Sequence, residues 1–226
     1  MKVVKILFFI ALCAAFASCG SSNSLTRGER YPKFYEEKPL VILVMPPINN
    51  TTCVDAKEFL YTSISRPLIE MGYYVVSPHL AMDIFKAESA YDAEMFVDQN
   101  VGMFGKVFGA DAVIFTTIDK WEKQGYGIET DISYVIKSTH TNEILFDRSC
   151  KFFLDCSFDS GNNSLIGQLI SVTATLINTA ATDNIVAARK CNNFSLTDLP
   201  RGKYDPFYQL DKEEKALEKE MTGSVK

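Results

Sequence analysis

Chemistry needs side chains that can move protons, attack carbon or hold metal, and this chain offers few. Its two histidines are His79, beside Pro78, and His140, in the turn-forming run Thr139-His140-Thr141-Asn142. Neither has a spaced partner that would complete a metal pair or a nucleophile–base dyad, so both read as solvated loop residues. Glu129 and Asp131 share one face of an alternating segment, as general acid–base chemistry could use. Polar alternation on an exposed sheet explains them more simply. No G-x-S-x-G elbow, P-loop, H-E-x-x-H or complete dinucleotide fingerprint is present. No catalytic residue and no metal ligand is assigned, and the expectation is a protein that is not an enzyme. Among the cysteines, Cys53, Cys150, Cys156 and Cys191 match no zinc spacing, since the closest pair has five residues between its members and has no second clustered pair.

Cys19 is a different kind of site. Met1-Lys2-Val3-Val4-Lys5 is a short basic segment, and Ile6 to Leu12 is an apolar run shorter than the ~20 residues of a spanning helix. Residues 1–18 therefore read as a signal peptide. Phe16-Ala17-Ser18-Cys19-Gly20 then resembles a bacterial lipobox, with small residues at the two positions before a cysteine that is diacylated on sulfur and becomes the new amino terminus. Phe16 departs from the usual Leu or Val. Cys13 serves less well, because Leu12 stands where the peptidase needs a small residue. The competing reading is an ordinary secretory signal cut near Ser18, with Cys19 incidental. Each buried acyl CH₂ contributes ~0.8 kcal/mol, so two or three chains anchor a protein that needs no spanning helix. The lipid on Cys19 is the only cofactor expected. Gly20-Ser21-Ser22-Asn23-Ser24 is a polar tether. It has no Asp just after the cysteine, which by analogy with enterobacterial sorting points to the outer membrane, and no acidic cluster for surface export, which leaves the periplasmic face.

In an oxidising periplasm four cysteines permit three full pairings. If the first strand and the last meander strand point the same way, Cys53 and Cys156 lie at the same end of the sheet, which makes them a candidate bridge. Cys150, on an apolar face, reads as a small core residue.

Of 226 residues, 47% are hydrophobic and 23% charged, proportions of a compact domain rather than a disordered or polytopic chain. The net charge is −5; removal of Lys2 and Lys5, with no acid among the first 18 residues, takes it to −7. That charge lacks the basic footprint of nucleic-acid binding and gives no attraction to anionic lipid.

The elements that position these residues follow from periodicity. Residues 19–38 have no apolar period and read as lipidated cysteine plus tether; 39–208 read as one domain; 209–226 read as a charged tail, with eight charges in the ten residues from Asp211 to Glu220. Leu40 to Met45 is an unbroken apolar run, the pattern of a strand buried on both faces. Pro46 to Thr52 forms a loop, and Asp55 caps a helix over 56–71 that Pro67 should bend. Tyr73 to Val76 makes a second strand, completing a β-α-β unit. Helices over 79–87 and 93–108 follow. From 111 to 155 alternation predicts three antiparallel strands turned at 124–127 and 139–142. Leu165 to Lys190 has no charge before Asp183 and so invites a transmembrane reading, but Gln168, Ser171, Thr173, Asn178 and their neighbours favour a helix covering the sheet through Leu165, Leu169, Val172, Leu176 and Ala180. The expected fold is α/β with α+β character: a mixed sheet of about five strands in the order β-α-β-α-α-β-β-β-α, with helices packed on it.

The run Val41 to Thr51, the Pro67-Leu68 to Gly72-Tyr73-Tyr74-Val75 stretch, Phe108-Gly109-Ala110-Asp111-Ala112 and Gly202-Lys203-Tyr204-Asp205-Pro206-Phe207-Tyr208 together resemble a family of small uncharacterised Gram-negative outer-membrane lipoproteins. The family resembles in fold the amino-terminal domain of TolB and the periplasmic domain of the curli-secretion pore protein CsgG, and its genes often accompany one for a CsgG-like lipoprotein. The resemblance implies a non-enzymatic envelope subunit that binds other proteins, a CsgG-like pore lipoprotein or further copies of itself. It transfers no catalytic residue. Contacts are expected from the 46–54 loop, with Asn49 and Asn50, and from Tyr204, Pro206, Phe207 and Tyr208, since aromatics beside proline make good interface anchors. The competing reading of that late segment is that it pins the chain end to the core. Two other functions are weighed: regulation of a peptidoglycan synthase, and, more weakly, polysaccharide binding or hydrolysis with Trp121 and Tyr126 as stacking platforms, although two aromatics near a hairpin more simply pack on the sheet.

Overall fold

The structure is a computed structural model that describes residues 25–88, 92–125, 127–155 and 180–225. Its centre is a mixed seven-stranded sheet. The strands are β1 (Val41–Val44), β2 (Ile48–Asn49), β3 (Tyr74–Val75), β4 (Ala112–Gln124), β5 (Gly127–Ser138), β6 (Ile144–Asp155) and β7 (Glu220–Val225). Their order is β3-β1-β4-β5-β6-β7, with the short β2 paired to β4 beyond the end of β1. The pairs β1·β3, β1·β4, β2·β4 and β6·β7 are parallel; β4·β5 and β5·β6 are antiparallel. The expected mixed sheet is thus present, with two strands more than periodicity showed.

The unbroken apolar run of β1 is explained by its two faces. Ile42 and Val44 pack into one core; Leu43 and Met45 pack into a second. The first core lies under α3 (Val54–Ser63), α4 (Ser65–Glu70) and α7 (Ala180–Ser195), the second under α5 (Pro78–Ala87) and α6 (Gly102–Phe108). β4 shares both cores over its first half, with Ile114 in the first and Val113 and Phe115 in the second, whereas β5 and β6 bury chiefly one face, through Ile132, Tyr134, Phe146, Cys150 and Leu154, as alternating strands do.

Three helix expectations are corrected. The single helix over 56–71 is two, parted at Ile64. Pro67 has no N–H and its ring crowds the carbonyl four residues back, that of Ser63, so the break falls a turn before the proline. Between 93 and 108 a 3-10 turn (Ala93–Met95) precedes α6. The last helix runs on to Ser195, while Leu165, Leu169, Val172 and Leu176 lie outside the described residues.

The two chain ends are corrected most. Within the stretch expected as tether, α1 (Arg27–Arg30) and α2 (Pro32–Glu37) fold against the sheet. Thr26 and Glu29 form a capping box: the Glu29 N–H donates to Thr26 Oγ1 at 3.3 Å and the Thr26 N–H to Glu29 Oε2 at 2.8 Å. Tyr31, Phe34 and Tyr35 are buried. The expected charged tail includes β7 and the fully buried Asp211. Its charges looked solvated because their partners are remote in sequence: Arg27 with Asp211 at 3.1 Å and Glu214 at 2.9 Å, Arg30 with Glu218 at 3.1 Å, Lys219 with Asp147 at 2.7 Å.

Arg148 fixes these ends to the sheet. It sits on the apolar face of β6, in phase with Phe146 and Cys150, and its side chain is wholly buried. It donates to both carboxylate oxygens of Asp198, to the Ser195 carbonyl at 2.9 Å and to the Tyr31 hydroxyl at 2.7 Å. Asp198 also accepts the Leu217 N–H at 2.7 Å. Burial alone would raise the Asp198 carboxyl, but the hydrogen bonds and charge of Arg148 outweigh it and hold the group below the usual carboxylate range.

Removing one partner of a buried ion pair leaves the other charge uncompensated, at about 3–5 kcal/mol. Asp198→Ala is expected to lower unfolding stability by that amount, as read from urea melts. The acid limb follows from the same group. A carboxyl whose folded pKa lies below its unfolded value near about 4 adds stability above that value, lost as pH falls through the folded one. The urea midpoint should therefore fall below about pH 4, and by less in Asp198→Asn than in the parent.

Candidate interaction surfaces

Three of the sequence motifs turn out to build joints of the fold. In Phe108 to Ala112, Gly109 ends α6 with φ +65°, and the Asp111 carboxylate accepts the N–H groups of Leu40 and Val41, each at 2.9 Å, at the start of β1. Burial opposes ionisation of Asp111, yet these two donors and His140 keep its carboxyl low. Gly72, φ +86°, and Gly202 meet face to face: a Cβ on Gly72 would strike the Asp205 backbone nitrogen, and one on Gly202 would strike the Gly72 carbonyl. The Tyr204 N–H donates to Gly72 O at 3.0 Å and the Gly202 N–H to Met71 O at 2.8 Å. Two motifs far apart in sequence therefore interlock at the start of β3.

At the other end of β3, where β1 and β3 finish, a groove of about 540 Å³ opens between α3 and α5. Its apolar walls include Pro46, Pro47, Tyr61 and Met82, and the Tyr61 hydroxyl donates to the Pro78 carbonyl at 2.8 Å. Lys57, Lys86, His79 and Glu58 stand around it. Neither lysine has an ion-pair partner among the described residues. In open α/β sheets the crevice beyond the carboxyl ends of parallel strands is the usual binding place. A weakly cationic, proline-walled groove on an acidic protein suits an extended segment with apolar and acidic side chains.

The expected contact residues do not form one surface. Asn49 is used within its own loop: its Nδ2 donates to Cys53 O at 2.9 Å, and its Oδ1 accepts Thr51 N–H at 3.1 Å and Thr51 Oγ1–H at 2.8 Å. Asn50 is exposed and donates to Asp119 Oδ1 at 2.8 Å. They lie in sequence between Pro47 and Val54, which line the groove at one end of β3. Tyr204, Pro206 and Phe207 are exposed and Tyr208 is half-buried, at its other end.

Trp121 packs on the sheet, the simpler of its two readings. β4 carries a bulge at Asp119, between Ile118 and Lys120, which reverses the alternation beyond it. Trp121 therefore turns into the core and donates from Nε1 to Asn184 Oδ1 at 2.9 Å. A buried indole offers no stacking platform. Tyr126 lies outside the described residues. Glu129 pairs with Lys120 at 2.9 Å and Asp131 with Lys151 at 3.3 Å, the roles of a solvated sheet face. His140 reaches Asp111 at 3.3 Å. Among the described residues no cluster of His, Cys, Asp or Glu could hold a metal ion. Alternation skipped Arg148; the signal was a charge in phase with inward Phe146 and Cys150.

β1 and β6 do point the same way, the premise of the Cys53–Cys156 pairing, but Cys156 and Cys19 lie outside the described residues. Cys150 and Cys191 are buried free thiols. Burial pushes Cys150 up to about 12, and Cys191 upward as well.

The fold defines a mixed-sheet α/β domain closed at both ends by buried ion pairs. A family model described as "Putative lipoprotein GNA1162-like" matches residues 29–199, and the chain belongs to that family. A curated relative, "Putative lipoprotein NMB1124/NMB1162" of Neisseria meningitidis serogroup B, is 27% identical over 173 residues, 74% of this chain and 78% of that protein. The crystal structure of lipoprotein GNA1162 from Neisseria meningitidis aligns with a TM-score of 0.46 at 24% identity, over 62% of this chain and 99% of that one. The LpoB carboxyl-terminal domain from Salmonella enterica aligns at 0.34 and 14%, over 55% and 93%. Structural likenesses this distant carry no functional argument. No helix among the described residues is long and apolar enough to cross a membrane.

Thiolate is the form that alkylates. Iodoacetamide at pH 8 should therefore leave Cys150 and Cys191 unmodified in the native protein and label both after guanidinium unfolding, as read by peptide mass mapping.

Proposed function

We propose that the protein is a lipoprotein of the bacterial envelope, acylated on Cys19 and held at the periplasmic face of the outer membrane, where it acts as a non-enzymatic subunit that binds another envelope protein. Family membership over residues 29–199 carries the reading, and the lipobox-like Ala17-Ser18-Cys19 supplies the anchor. Three of the four side chains that sequence offered for chemistry support a binding role, because they have structural work, and the fourth, His79, lines the groove. Glu129 and Asp131 neutralise lysines across the sheet, and His140 leans on the carboxylate that starts β1.

The groove between α3 and α5 is the protein-binding surface in this proposal. Its partner is an extended segment of a neighbouring envelope protein, a CsgG-like pore lipoprotein or another copy of the chain. Apolar walls with a few placed polar groups are what such segments need, and Lys57 and Lys86 add selection for acidic side chains.

The test is fractionation combined with photocrosslinking. The parent should sediment with outer membranes and Cys19→Ser should move to the soluble periplasmic fraction. A photoreactive residue at Lys57 or Met82 should yield a discrete adduct with an envelope protein. A parent found in the soluble fraction overturns the anchor, and an anchored protein with no adduct from either position overturns the groove.

A further inference from the structure

The anchor and the fold together define which side of the molecule faces lipid. The described chain begins at Leu25, whose carbonyl accepts the Ala216 N–H at 2.9 Å. Two residues on, Arg27 holds Asp211 at 3.1 Å, and Leu210 immediately precedes Asp211. The entry point of the chain and the 204–210 segment therefore lie on one side. Cys19 is six residues from Leu25, a span of at most about 20 Å when fully extended. Acyl chains on Cys19 keep that side within this distance of the leaflet.

What stands there is apolar and rigidly presented. Tyr204, Phe207 and Leu210 are 67%, 61% and 73% exposed. They are carried on successive turns: Asp205 N–H to Gly202 O at 3.0 Å, Tyr208 N–H to Asp205 O at 3.1 Å, Leu210 N–H to Phe207 O at 2.9 Å. Phe207 N–H donates to Asp205 Oδ1 at 2.7 Å, and Pro206 has no N–H to satisfy. Backbone groups already paired can approach hydrocarbon without the cost of stranded donors. From Tyr204 to Leu210 the one charged residue is Asp205, which is engaged by Arg201 at 3.4 Å as well as by Phe207. A neutral, aromatic-rich face suits the interfacial region of a bilayer, whereas the acidic remainder of the protein does not.

We infer that Tyr204, Phe207 and Leu210 form a lipid-contacting face that seats the anchored protein on the leaflet holding its acyl chains, with the α3–α5 groove turned away from the membrane. The inference rests on acylation of Cys19, and it assigns the late aromatic segment to lipid rather than to a protein partner. The face itself adds little affinity beyond that of the acyl chains; its effect is to fix orientation.

The acylated mature protein carrying Phe207→Trp, reconstituted in phosphatidylcholine vesicles with or without brominated acyl chains, tests it. Trp121, buried against Asn184, supplies a constant background. The introduced indole should shift to the blue and lose most of its emission to brominated lipid, while one introduced by Glu58→Trp at the groove should keep its emission. An indole at position 207 that stays red-shifted and unquenched, in protein that floats with the vesicles, overturns the lipid face and leaves the anchor standing. Shielding from both brominated lipid and soluble iodide overturns it in favour of a second copy covering the patch. If the acylated parent does not float with vesicles, the anchor reading fails and the lipid face falls with it.

Discussion

The buried contact between Arg148 and Asp198 joins parts of the chain that are remote in sequence. Arg148 rises from the apolar face of β6 and meets the hydroxyl of Tyr31, the carbonyl at the end of α7 and a carboxylate that also holds the Leu217 backbone. A guanidinium in a low-dielectric core is tolerable only when its donors are matched, and its planar fork matches a carboxylate best. The amino-terminal helices, the end of the last helix and the path into β7 therefore converge on one buried charge. Arg27 and Asp211 repeat the arrangement closer to the surface. Such pairs add little net stability against an apolar replacement; here they select which segments close the sheet.

That closure shapes the surfaces. Because Asp211 is drawn under Arg27, the turns before it are held beside the point where the chain enters the fold. Because Gly202 and Gly72 lock together, the same turns sit at the start of β3, leaving its finish open as the groove. One short edge strand thus separates an apolar aromatic face from a weakly cationic cleft.

Part of this was legible before any coordinates. Alternation from 111 to 155 is a local signal, and it located β4, β5 and β6 nearly to the residue. The continuous run at Leu40 to Met45 required two buried faces, and two separate cores flank β1. The family match agrees with the resemblance read from the motifs. The groove was half legible: the 46–54 loop was marked, but Lys57, Met82 and Lys86 reach the cleft only because two helices flank the end of β3.

What sequence settled by itself was therefore whatever depends on near neighbours along the chain: strand and helix periods, turns and the acidic composition. Tertiary structure decided what depends on partners remote in sequence. The charges of 211–220 looked solvated because Arg27 and Arg30 lie at the opposite chain end. Which way Trp121 faces is set by a single bulge residue, Asp119. Tyr31, Phe34 and Tyr35 looked like tether because six residues of helix carry too short a period to announce a buried face. In each case the deciding free energy comes from burial or pairing across the sheet, and local spacing carries no record of it.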